Sequence, residues 1–334
     1  MCSKTPILSD KDTYHANALH ILTSFEVPIH IFGAYIIIAK TPNNMKNVRT
    51  NMLVLHLAGA LLDIYMSCLE IPVFLLPACA VYPLGVLTML GVSTVFQAYV
   101  GVSLIGVIGM AILMFFEERY HKLIRNPGVD RKRGWKYVVY IAIHYIISIT
   151  FILPCFLNIP DQNLGKLMIM ETNPCIPEEK INHPDFFLLI TESGPLYLSL
   201  GIAALVILPQ GAFFILSIFW YLFTLKSKSR ATTRLQKQLF FAMCLQVAIP
   251  ISAICIPAGY CVVVVVVGYY NQEANNLAVF TMALHGGLST FVMLTVHAPY
   301  RNATLEVFGI SFKRVVQKPN QVWNKSVNET GVVP

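Results

Sequence analysis

Charge is scarce in this sequence. Only 12% of its 334 residues are Asp, Glu, Lys or Arg, against 56% apolar, too few to clothe a soluble globule of this size. From Leu87 to Phe116 there is none at all, and placing one at a bilayer centre would cost roughly 2.5–3.5 kcal/mol. The start, MCSKTPILSDKDTYH, lacks a basic stretch followed by a short apolar run and a small-residue cleavage site, so no cleaved leader is expected and the first hydrophobic segment should serve as signal and anchor together. The eight cysteines show neither metal-ligand spacing nor a disulfide framework: Cys68, Cys155, Cys244, Cys255 and Cys261 lie inside apolar runs, where small buried thiols are the rule. Cys79 and Cys175 fall in expected outer loops and are expected to bond to each other there. There is no nucleophile elbow, HExxH or phosphate-binding glycine loop, and Asp63 is the sole aspartate within any apolar run, so neither an enzyme nor a cofactor or metal site is expected. The last apolar run has no lysine, which excludes a retinal Schiff base.

What is present is seven runs long enough to span a bilayer, which needs about 20 mostly apolar residues. They cover about Ala18–Ala39, Met52–Leu76, Leu87–Phe116, Tyr137–Ile159, Pro195–Leu225, Leu239–Val267 and Leu277–Val296. The expected architecture is an all-α membrane protein, a seven-transmembrane bundle over 18–298 between an extracellular N-terminus, 1–17, and a cytoplasmic tail, 299–334. Orientation follows from the basic residues, which are retained on the cytoplasmic side. The net charge of +7 is placed unevenly: twenty of the 24 lysines and arginines lie after spans one, three, five and seven, while the opposite side has only Lys4, Lys11, Lys166 and Lys180. That pattern reports topology and does not imply nucleic acid. The tandem sequons at Asn324 and Asn328, like that at Asn302, fall on the cytoplasmic side and are expected to stay unmodified. No internal repeat is visible, although transporters often show one.

Polar groups at membrane depth are the candidate functional residues. In the second span His56, Asp63 and Glu70 are spaced by seven, one helical face with a drift of about 20° per heptad, at depths roughly 10 Å apart. His56 and Asp63 read either as an interhelical hydrogen-bond pair or, for Asp63, as a protonation or cation site. Glu70, nearest the outer mouth, is a candidate ligand contact, with Gln97, Tyr99 and His285. His144 and Gln246 read as interhelical hydrogen-bond groups, and Glu26 as an interfacial carboxylate. Pro250 and Pro257, seven apart in the sixth span, mark a candidate hinge. Gly101, Gly106 and Gly109 read as close-packing positions.

At the inner end of the third span stand Glu118, Arg119 and Tyr120, similar to the acid-arginine-tyrosine triplet that seven-helix receptors use in G-protein coupling. Six strings carry a wider resemblance: Thr41–Arg49 leading to Met52–His56, Tyr82–Gly85, Phe115–Tyr120, Asn173–Pro177, Leu235–Phe240, and Ala283–Thr290 continuing to His297–Arg301. In order and spacing they resemble the nematode serpentine chemoreceptors of class H, within the Str superfamily. Glu118 and Ala298 depart from that pattern, where an uncharged and a polar residue are expected. The resemblance implies a G-protein-coupled chemosensory receptor in the plasma membrane, on the cilia of sensory neurons, with a small external cue as ligand and a heterotrimeric G protein as partner. Arg119 would take the coupling role, with Pro299, Tyr300 and Arg301 at the inner end of the seventh span and movement of the sixth as the signal. The basic loops would also contact anionic membrane lipids, and homo- or hetero-oligomerisation stays open. The alternatives are a small-solute or proton-coupled transporter using Asp63 and Glu70 as a relay, and a receptor-like protein that traffics with other receptors.

Overall fold

The computed structural model describes residues 12–41, 46–126, 133–224 and 230–310; the expected sequons at 324–330 and most of the basic tail lie outside them. The first five elements are α1 (Asp12–Lys40), α2 (Lys46–Ile64), β1 (Pro72–Leu75), β2 (Ala80–Pro83) and α3 (Val86–Met89). They are followed by α4 (Thr94–Tyr120), α5 (Trp135–Thr150), α6 (Leu153–Leu157), α7 (Gln162–Thr172), α8 (Glu178–Ile181) and β3 (Phe187–Leu188). The chain closes with α9 (Gly194–Thr224), α10 (Arg230–Val267), α11 (Gln272–Ala283), α12 (His285–Val296) and α13 (Ala298–Val307).

Among the described residues six helical segments are long and apolar enough to cross a membrane, and α5 is a shorter apolar helix in the fourth position. Their outward faces carry Leu205, Leu208, Leu216 and Trp220 of α9 and Val263, Val266 and Val267 of α10, all exposed. An apolar belt of that extent suits lipid and not water.

Packing is closest where side chains are smallest. A Cβ on Gly106 of α4 would run into Ser148 O of α5, and in the same crossing Ser103 Oγ and Tyr99 OH donate to Ile149 O at 3.2 and 2.9 Å. At one end of the bundle Phe115, Phe116, Met52, Ile218, Phe240, Met243, Met293 and Tyr300 form one core. This is the basic end. There α13, a helix absent from the expected spans, lays Tyr300 and Ala303 inward.

The opposite end is capped by a three-stranded antiparallel sheet in the order β1-β2-β3, with Pro72 opposite Pro83, Leu75 opposite Ala80, and Ala80 opposite Leu188. This corrects the second span, which stops well short of Leu76. After Ile64 the helix widens into a π turn, Tyr65–Leu69, and the chain then reverses through Ile71 at φ 47°, a conformation that a β-branched residue rarely takes. The hairpin is tied down by side-chain amides of α11: Gln272 Nε2 donates to Phe74 O at 3.1 Å, and Asn275 Nδ2 to Phe74 O and Leu76 O at 3.3 Å. Lys180 pairs with Asp12 at 2.7 Å, and Tyr82 OH donates to Asp12 Oδ2 at 2.8 Å, anchoring the cap to α1.

The expected Cys79–Cys175 bond is not formed. Cys175 is disulfide-bonded, but Cys79 is a free thiol packed beside Tyr99, Val102 and Cys155. Burial pushes its thiol up to about 11, with Cys261 and Cys155 nearby adding to the shift. The hairpin turns Cys79 inward, away from the exposed loop surface on which a partner was expected.

Candidate functional site

Three places in the bundle carry chemistry. The first is the middle, where the seventh span breaks at Leu284 between α11 and α12. A helix start leaves amides without intrahelical acceptors, and here Gly286 N and Gly287 N donate to Asp63 Oδ1 and Oδ2 at 3.1 and 2.7 Å. The same helix end favours an anion electrostatically. His285 Nδ1 stands 2.7 Å from both Asp63 Oδ1 and Met282 O; both are acceptors, so this nitrogen carries the proton. His30 Nε2 approaches Asp63 Oδ2 at 3.2 Å. Asp63 is fully buried and saturated with partners.

His56 is not bonded to Asp63 directly. Its Nε2 donates to His30 O at 2.9 Å and its Nδ1 stands 3.2 Å from Thr290 Oγ1, whose hydroxyl reaches Gly286 O at 2.8 Å. Glu26, expected at the interface, is instead buried in the bundle at 2% exposure. It neighbours Asp63 and closes on α12, since a Cβ on Gly287 would lie 3.2 Å from its Oε1. The reason is that α1 turns this face inward, burying Leu19, Leu22, Glu26, His30 and Gly33 in succession. Among the described residues no group of three or more His, Cys, Asp or Glu has an arrangement suited to a metal ion.

The second place is a cavity of about 240 Å³ beneath the sheet, lined by Met66, Phe74, Leu76, Ala80, Val102, Ile105, Phe187, Leu196, Ala258 and Met282 with few polar groups. Of the four expected ligand contacts, only Glu70 lines it. The π turn takes Glu70 off the heptad face it was expected to share with His56 and Asp63, because a wider turn breaks the 3.6-residue register. It now faces α4, where Gly101 makes room for it: a Cβ there would sit 2.7 Å from Glu70 Oε2. Gln97 is fully buried and bonds its own turn, donating to Val92 O at 2.7 Å and Thr88 Oγ1 at 3.3 Å. Tyr99 is spent on Ile149 O, and His285 belongs to the Asp63 cluster. His144 pairs with Gln210 Nε2 at 3.0 Å, and Gln246 Oε1 with His297 Nε2 at 3.0 Å. Two cavity groups went unforeseen, Tyr197 and Cys261; both sit in apolar runs without periodic polarity to mark them.

The third place is the basic end. Glu118 pairs with Lys122 at 3.1 Å and with Arg133 at 2.9 Å, while Arg133 also holds Glu117 at 2.6 Å. Arg133 lies over the Tyr137 ring, 3.8 Å from its centre. Glu118 is therefore engaged elsewhere, and Arg119 beside it keeps Nε and Nη2 buried with no hydrogen-bond partner among the described residues. Tyr120 packs on Phe213 and Phe214. Tyr300 is fully buried, its hydroxyl 3.0 Å from Thr41 Oγ1; Arg301 is exposed and Pro299 opens α13. These residues gather at one end of the bundle. Pro250 and Pro257 lie inside α10, both on its buried side.

Comparison with known proteins agrees with this architecture. The sequence model of the family described as serpentine type 7TM GPCR chemoreceptor Srh matches residues 10–310. Serpentine receptor class H-72 of Caenorhabditis elegans is 27% identical over 301 residues, covering 89% of this chain and 86% of that protein. A match from the start of α1 to the end of α13, on a bundle of apolar membrane-length helices, places the chain in its family: it belongs to the serpentine class H chemoreceptors, multi-pass membrane proteins of the seven-transmembrane receptor type.

Proposed function

We propose that this chain is a G-protein-coupled chemosensory receptor that binds a small external cue in the cavity beneath the sheet and signals at the basic end. The N-terminus and the sheet would lie outside and the tail inside, a reading that the asymmetry of lysine and arginine supports. A cue in the cavity touches α10 through Ala258 and Cys261, just beyond Pro257. Favouring one setting of that proline-bearing helix over another would move its cytoplasmic half, and the cue can shift the balance only by its differential affinity for the two settings.

The observation that carries the reading is Arg119. A buried guanidinium with unmade hydrogen bonds costs free energy, and a partner that presents acceptors, such as the carbonyls at a helix C-terminus, would recover it. Arg133 and Lys122 keep Glu118 from doing so. A heterotrimeric G protein at the cytoplasmic face supplies a partner of that kind. The ciliary membrane of sensory neurons is the location that such a role implies.

The test needs no ligand. Wild type and Arg119→Ala, reconstituted in lipid vesicles at equal folded amounts, are compared for nucleotide exchange on purified G proteins. Basal exchange above empty vesicles that falls in the variant is the expected result. Wild-type exchange that the variant matches would remove Arg119 from the coupling role.

A further inference from the structure

The cavity beneath the sheet has an uneven lining, and the unevenness points to a ligand class. Its walls are hydrocarbon and thioether, among them Met66, Phe74, Val102, Ile105, Phe187 and Met282. Into this surface projects one carboxyl group, Glu70, in a residue only 4% exposed. The Glu70 backbone is pinned: its N–H donates to Tyr65 O at 2.8 Å, and its carbonyl accepts from Leu84 N at 3.1 Å and Gly85 N at 2.8 Å. A Cβ on Gly85 would run into Leu69 O, so this close approach needs glycine. The Glu70 side chain, by contrast, makes no hydrogen bond or ion pair among the described residues. Its polar neighbour Tyr65 spends its hydroxyl on Gln97 O at 2.7 Å. A second polar group lining the cavity, the Tyr197 hydroxyl, is also buried without a hydrogen-bond partner among the described residues.

Burying a carboxyl group with nothing to pair it is expensive. A ligand with a carbonyl would need only a donor, which a serine, threonine or tyrosine hydroxyl provides at a smaller desolvation cost. An anionic ligand would be repelled. What a carboxylate in a dry apolar chamber does that a hydroxyl cannot is neutralise a cation through a charge-assisted hydrogen bond. That bond gains strength because water is excluded. At about 240 Å³ the chamber lies under the usual range of small-molecule sites, about 300–1,000 Å³, so the occupant is compact.

We propose that the cavity takes a compact apolar amine, its ammonium group paired with Glu70 and its hydrocarbon body packed on the surrounding walls. Tyr197 accepts a further N–H of the same group. This deepens the receptor reading and rests on it only for signalling after the amine has bound, because the pairing itself needs no G protein.

The experiment is a direct binding titration on the purified full chain in lipid nanodiscs, with hexylamine, hexan-1-ol, hexan-2-one and hexanoic acid as matched probes. Wild type should bind hexylamine at least tenfold more tightly than the alcohol or the ketone, and the acid least. Glu70→Gln should erase the preference for the amine, Glu70→Asp should keep part of it, and Tyr197→Phe should weaken the amine several-fold. Should Glu70→Gln fail to fold, Gly101→Ala, which crowds the carboxyl group without removing it, should cut amine affinity selectively. The proposal is overturned if the ketone or alcohol binds wild type as well as the amine does, if the preference survives Glu70→Gln, or if wild type shows no saturable amine binding. Basal nucleotide exchange by wild type and Arg119→Ala, read on the same preparations, separates the two claims. Amine selectivity without exchange leaves the binding site and counts against the coupling proposed for Arg119; Arg119-dependent exchange without selectivity does the reverse.

Discussion

Asp63 and Glu70 come from one short stretch of chain, seven residues apart and both buried, yet the bundle treats them in opposite ways. Asp63 receives two backbone amides and two imidazoles. The Glu70 side chain receives no hydrogen bond or ion pair among the described residues, while its backbone is clamped from both sides. The two glycines facing them repeat the contrast. Gly286 lets a helix end close on Asp63, so that a Cβ there would meet the carboxylate at 2.6 Å and Gly59 backbone at 2.9 Å. Gly101 leaves space beside Glu70 that opens into the cavity. The saturated acid holds three helices together; the unsaturated one is, on the proposed reading, kept for a ligand. For these two acids it is the partner count that separates the proposed roles, since both are buried.

The largest break in that comparison should come from the saturated side. His285→Ala deletes the shortest side-chain contact to Asp63, and removing one partner of a buried pair typically costs about 3–5 kcal/mol. The variant should melt far below wild type in detergent or lose its folded yield. Gly286→Ala comes next, at about 1–3 kcal/mol for overpacking against backbone that cannot yield, again as a lower melting temperature. Gly101→Ala should cost less, because the obstacle is the mobile end of a side chain. Thr290→Val removes a hydroxyl shared by Gly286 O and His56 and should cost about 1 kcal/mol.

The smallest effect concerns the cap above Glu70. His183 stacks on Tyr82, ring centres 4.2 Å apart, and burial holds its imidazole below the ordinary range. The folded chain therefore binds this proton less readily than the unfolded chain. Cap stability should be full above about pH 6.5, the unperturbed value, and should decline as pH falls below it. Relative to the intrinsic exchange rate at each pH, protection from hydrogen exchange over residues 75–82 should fall as the solution is acidified, more so than at Gly286 and Gly287, and His183→Phe should remove the difference.

The spans were legible from hydropathy because lipid demands long apolar helices, and the family strings lay in order along the chain. The end of the second span was not. From Tyr65 to Leu76 the residues are almost all apolar, so a helix and a buried hairpin look alike, and only Pro72 and Pro77 hint at a stop. That stretch holds the π turn that moves Glu70 to the cavity. His56, Asp63 and Glu70 were picked out by polarity at depth, but their shared face assumed a regular helix. Glu26 and His30 were hidden for another reason: their role depends on which way α1 turns, and its apolar residues surround the helix without a clear stripe. The break at Leu284 was written in His285-Gly286-Gly287, a string whose family specificity was visible although its capping geometry was not.

The most direct test sets the two acids against each other. Asp63→Leu and Glu70→Leu are melted side by side with wild type in the same lipid nanodiscs, without ligand. Loss of the saturated acid should lower the melting temperature sharply by stranding two amides and two imidazoles. Loss of the unpaired acid should leave it unchanged or raise it, because an unsatisfied buried polar group is exchanged for a hydrocarbon one. Equal destabilisation by the two substitutions would contradict the account, since Glu70 would then be a structural acid like Asp63.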